Sequence, residues 1–164
     1  MYIICTLYAI NLIMGFEKLT YSGTECNNYV YFAFDADYFD VKQVTDRLKI
    51  EPTSVMLKKD PRPKKTSWSY KIVAGNKIDM RDEISELVEL FYPLIPEIIE
   101  LKHELILRTR LQFVLDIDID PDASTPCFAF DEKTSIFIGQ TKTMVDFDLY
   151  KADTIGLLER YHKN

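Results

Sequence analysis

Three aspartates alternate in "DIDIDPD", at Asp116, Asp118 and Asp120, and their spacing matches the first three ligands of an EF-hand calcium loop. The match fails further on. The sixth loop position is Pro121, where a sharp turn needs glycine, and the twelfth is Cys127, where a bidentate glutamate is required. Read as a strand, the segment projects Asp116 and Asp118 from one face about 7 Å apart. Asp146 and Asp148 in "VDFDLY" behave alike. If the two strands are neighbours, four carboxylates crowd one patch, which Arg108, Arg110, a cation or a basic partner must relieve.

A second chemistry is offered by Lys58, Lys59, Arg62, Lys64 and Lys65, a basic run held between prolines. Asp60 interrupts it, no aromatic is interleaved for base stacking, and the chain carries a net charge of −6, so general nucleic-acid binding is not expected. The run reads as a solvated loop. The two histidines, His103 and His162, fall in no triad or zinc-ligand pattern, and "GxSxG", "HExxH" and Gly-rich phosphate loops are absent from the sequence. No catalytic residue, metal site or cofactor is therefore expected. Cys5, Cys26 and Cys127 are odd in number and far apart, which excludes a disulfide framework and fits a reducing cytoplasm. The apolar start, "MYIICTLYAINLIMGF", is too short to span a bilayer and lacks a basic n-region, so no membrane association is expected.

These groups must be positioned by strands and helices that the periodicity marks out. "NNYVYFAFDAD" alternates Val30, Phe32 and Phe34 against Tyr29, Tyr31, Ala33 and Asp35, a half-buried strand. Asp40 caps a short helix through Val44 and Leu48, ended by "EPT", where Thr53 satisfies backbone groups at the helix end. Residues 54–58 form a short strand. "TSWSYKIV" forms a further strand with Trp68 on its apolar side, as a core anchor. A long amphipathic helix capped by Asp79 follows, kinked or restarted by Pro93 and Pro96. "LILRTRLQFVLDIDID" alternates from Leu105 onward, and a helix capped by Asp131 leads into the last strand, "TMVDFDLY".

The order predicts an α+β fold. Its single antiparallel sheet carries helices on one face, as a ferredoxin-like β-α-β-β-α-β core with an added α-β unit. Residues 28–150 form the domain, 1–27 an amino-terminal extension with Met14 as an alternative natural start, and 151–164 a tail. The sheet face left bare collects Tyr29, Tyr31, Ser67, Ser69, Arg108, Arg110, Gln112, Asp146 and Asp148.

The helix "VKQVTDRLKIEPT", the lysine-rich loop, "SWSY", the proline-broken helix and "FDEKTSIF...VDFDLY" come in an order that resembles the bacterial domain-of-unknown-function family 4279. Thr53 and Trp68 are the positions that stand out in that family's pattern. The resemblance implies a small bacterial cytosolic protein with no established activity or cofactor, of a kind similar to toxin-immunity proteins. The expected function is non-enzymatic protein binding by the open sheet face, with a basic toxin as a fitting partner. The alternative is a small-molecule or hydrolytic pocket between that face and the loop at 58–65.

Overall fold

The computed structural model describes residues 25–158. In chain order its elements are β1 (Asn28–Ala36), α1 (Val41–Leu48), β2 (Ser54–Met56), β3 (Thr66–Gly75), α2 (Arg81–Phe91), α3 (Ile95–Glu104), β4 (Arg108–Asp118), α4 (Glu132–Thr141) and β5 (Met144–Ala152). One sheet runs β2-β3-β1-β4-β5. The first four strands pair antiparallel, as the ferredoxin-like order requires. β5 instead pairs parallel to β4, so the sheet is mixed where a purely antiparallel one was expected. The reason is connectivity: α4 carries the chain back along the sheet, and a strand that returns through a helix to its predecessor's side must run in the same direction. Residues 1–24 of the expected extension, including Met14, and residues 159–164 of the tail lie outside the described residues, and β5 runs two residues past Tyr150.

Alternation on β1 decides the layers. Val30, Phe32 and Phe34 are fully buried beneath the helices, where Phe32 meets Phe91 of α2 and Phe137 of α4 at ring centroids 4.8 and 5.4 Å apart. Trp68 of β3 is buried edge-on to Phe34, and its indole Nε1 donates to the Thr45 hydroxyl of α1 at 2.9 Å, so the anchor expected from the sequence also fixes a helix. Arg47 of α1 reaches Glu97, Glu100 and Glu104, one flank of α3. Lys102 of α3 donates to the carbonyls of Thr141 and Lys142 and to the Thr109 hydroxyl, capping α4 with a positive charge where the helix dipole is negative. Among the described residues no helix is long and apolar enough to cross a membrane.

Of the two readings left open for the long helix, a kink or a restart, the restart is the outcome: Tyr92–Leu94 forms a 3-10 turn at Pro93, and α3 begins anew with Pro96 in its first turn, where a missing N–H costs nothing. Three local expectations change. Met80 is the N-cap residue of α2, while Asp79 accepts from the Arg81 backbone and pairs with its guanidinium. Thr53 serves a strand rather than the helix end, because its hydroxyl donates to the Ser69 carbonyl and accepts from the Lys71 N–H, extending the β2–β3 ladder. β4 begins at Arg108, since Leu105 caps α3 and Ile106 turns the chain at φ 53°.

A β-branched residue in the left-handed region is strained, and the Ile106 side chain is 85% exposed, so nothing holds it there by packing. Ile106→Gly is expected to raise stability by about 0.5–1 kcal/mol in denaturant unfolding. Trp68→Ala is expected to cost about 3–5 kcal/mol, and Thr45→Val about 1–3 kcal/mol by leaving the indole N–H without its acceptor. Unchanged unfolding midpoints in both would overturn the anchoring role of Trp68.

Candidate functional site

The pairing registers place the polar side chains in rows across the uncovered face. One row reads Met56, Ser67, Asp35 and Arg108, and the next Ser54, Ser69, Ala33, Arg110 and Met144. A third row holds Lys71, Tyr31, Gln112 and Asp146, and a fourth Val73, Tyr29, Val114 and Asp148. Every side chain expected on the face is there. The face is nonetheless not bare, because its long residues cover its own centre.

Arg110 organises that centre. Its Nη2 lies 3.2 Å from Asp35 Oδ2, its Nη1 donates to Gln112 Oε1 at 2.9 Å, and its guanidinium lies over the Tyr31 ring at 5.6 Å. Asp146 approaches at 4.0 Å. Gln112 is fully buried in this cluster, and its Nε2 and Arg110 Nε are buried donors without acceptors. Burial pushes the Tyr31 phenol up, against the opposing pull of Arg110. Lys71 sits over Tyr29 at 4.9 Å, and the Tyr29 and Tyr31 rings stack. Asp35 was legible as an outward residue, but its partnership with Arg110 required knowing that β1 and β4 are neighbours.

The expected crowding of four carboxylates is relieved by stagger. In the parallel pair Asp146 stands opposite Gln112, Asp148 opposite Val114, and Asp116 opposite Tyr150, so no two acids face each other directly. Asp116 Oδ2 accepts from the Asn27 N–H at 2.8 Å, and the Thr154 hydroxyl donates to Asp118, holding its carboxyl below the usual range. Arg108, one row further along the same face than Arg110, is exposed at the basic end. Thr53 and Trp68 lie outside this cluster and act as structural residues, at the β2–β3 ladder and in the core.

Two hollows flank the face. At the acidic end one of about 970 Å³ is lined by Cys26, Asn27, Asp116, Asp118 and Thr154. Burial, then Asp118 and Asp116, push the Cys26 thiol up, which leaves it a weak nucleophile near neutral pH. At the basic end a cleft of about 360 Å³ lies where the expected alternative site was located, between the sheet face and the basic loop.

A double-mutant cycle should separate the contacts of Arg110. Asp35→Asn with Arg110→Met is expected to show a coupling of about 1–2 kcal/mol, whereas Asp146→Asn with Arg110→Met shows almost none, because Asp146 is half exposed and further away. Equal couplings would show that Asp35 is not the principal partner. In a Cys5→Ser, Cys127→Ser background, alkylation of Cys26 at neutral pH is expected to speed up in Asp118→Asn, since removing a neighbouring negative charge lowers a raised thiol pKa and increases thiolate. An unchanged or slower rate would contradict that electrostatic origin.

No curated protein and no solved structure matches the chain. A family described as a domain of unknown function, DUF4279, matches residues 24–152, a span that takes in all five strands, Thr53, Trp68 and the Arg110 cluster. The chain belongs to the DUF4279 family.

Proposed function

We propose that the domain is a non-enzymatic protein-binding module that receives a basic segment of a partner on the acidic half of its sheet face, next to β5. The observation that carries this reading is the position of Asp146 and Asp148 on β5, which is the last strand of the sheet among the described residues. An edge strand offers unpaired backbone groups to an incoming strand, and side chains alternating along it select the guest. Asp146 and Asp148 favour a guest with lysine or arginine at alternate positions, while exposed Leu149 on the opposite face favours apolar residues between them. A small cationic toxin has this chemistry. Cytoplasmic localisation goes with the reading and is supported by Cys26 and Cys127, both free thiols.

The test is comparative capture from extracts of the native host, with hydrogen exchange to locate the contact. The wild-type chain is expected to retain basic proteins that elute with salt, to protect β5 amides on binding, and to lose these partners in an Asp146→Lys, Asp148→Lys variant. Identical sets of captured proteins, or protection elsewhere than β5, would sink the proposal.

A further inference from the structure

The cleft at the basic end of the face carries an inference that does not depend on protein docking. Met56, Ser67, Asp35 and Arg108 form one cross-strand row, and Met144 stands opposite Arg110 in the next, so the cleft floor runs from β2 to β5 across the whole sheet. Its wall is the loop bearing Pro63, Lys64 and Lys65. That loop is held in place: the Lys59 N–H donates to the Pro63 carbonyl at 3.0 Å, the Lys58 N–H donates to the Thr66 hydroxyl at 3.1 Å, and Lys58 Nζ lies 3.6 Å from Asp37.

Four cations converge on this space, Lys64, Lys65, Arg108 and Arg110, against the single carboxylate Asp35, which Arg110 already engages. Among the described residues Lys64, Lys65 and Arg108 form no ion pair. In a chain of net charge −6 this concentrates positive potential at one place. The remaining surface is apolar, from Met56, Pro63 and Met144, with Met56 and Met144 each about half exposed. An inorganic ion would leave those methionines wetted, and a nucleic-acid strand would find no aromatic to stack on. The volume falls within the range of small-molecule sites. We infer that the cleft binds a small amphipathic anion, a single carboxylate or phosphate head carried on a short apolar chain, with the head between Lys64, Lys65 and Arg108 and the chain against Met56 and Met144.

Calorimetric titration and thermal melting of the full chain with hexanoate, hexyl phosphate, hexanol and inorganic phosphate test the inference. At least one of the two amphipathic anions is expected to bind and raise the melting temperature by several degrees at concentrations well above its Kd, while hexanol and inorganic phosphate do neither. Whichever anion binds more tightly identifies the head group. A Lys64→Ala, Lys65→Ala variant is expected to melt like the wild type without ligand and to bind roughly tenfold more weakly, and Met144→Asp to weaken binding as well. Asp146→Asn, Asp148→Asn, which removes the proposed docking acids, is expected to keep full affinity, so failure of one proposal leaves the other standing. Absence of binding by both anions, equal binding by inorganic phosphate, undiminished binding in the lysine variant, or loss of binding in the aspartate variant would each overturn it.

Discussion

Burial of Val30, Phe32 and Phe34 on the central strand is the constraint from which the rest of the molecule follows. β1 is hydrogen-bonded on both edges, and those three side chains belong to one buried core in which Phe32 meets α2 and α4 and Phe34 meets Trp68. A slip of one residue would turn all three toward water and bring Tyr29, Tyr31 and Asp35 inward, a change that the core contacts forbid. The registers of β3 and β4 are fixed against the same strand, with Phe34 opposite both Trp68 and Thr109. The polar face is thus aligned by packing on its reverse side, and Arg110 meets Asp35 because Phe32 lies against Leu111.

Polar contacts hold the layers where apolar packing alone leaves orientation free. Asn28 is fully buried at the start of β1, donating to the Lys77 carbonyl and accepting from the Asp116 N–H, which ties the turn after β3 to the far end of β4. At the other end the hydroxyls of Thr109, Thr141 and Thr143 form a buried chain that Lys102 joins. Burial lowers the pKa of Lys102, and Lys142 adds to that, yet three acceptors surround its ammonium. These groups are satisfied by one another and serve the fold, in contrast to Lys64, Lys65 and Arg108, whose charges face open space.

The sheet face carries a charge gradient. Arg108 and the basic loop occupy one end, Asp116, Asp118 and Asp148 the other, and the Arg110 cluster separates them. The centre itself is occupied by the contacts of Arg110 with Asp35, Gln112 and Tyr31. The two ends of the face therefore present potentials of opposite sign, and the two proposals rest on different side chains.

The sequence by itself determined the order of elements, the alternation that separates core from face, the caps at Asp40 and Asp131, and the burial of Trp68, because each depends on residues within a few positions of one another. Its face residues were assigned correctly for the same reason. What only the tertiary structure decided is which strands adjoin. Parallel pairing of β5 with β4 staggers Asp146 and Asp148 against Gln112 and Val114 and removes the crowding that alternation alone implies. Adjacency of β1 and β4 gives Arg110 its carboxylate, and adjacency of β2 and β3 gives Thr53 its carbonyl. The backbone turn at Ile106 was hidden as well, since a strand-like alternation runs through Leu105 and Leu107, whereas Leu105 caps α3 and Ile106 turns the chain before β4 begins. Local pattern records how a residue relates to its own strand or helix, whereas contacts across the sheet depend on loop closure and helix packing, which no short window of sequence contains.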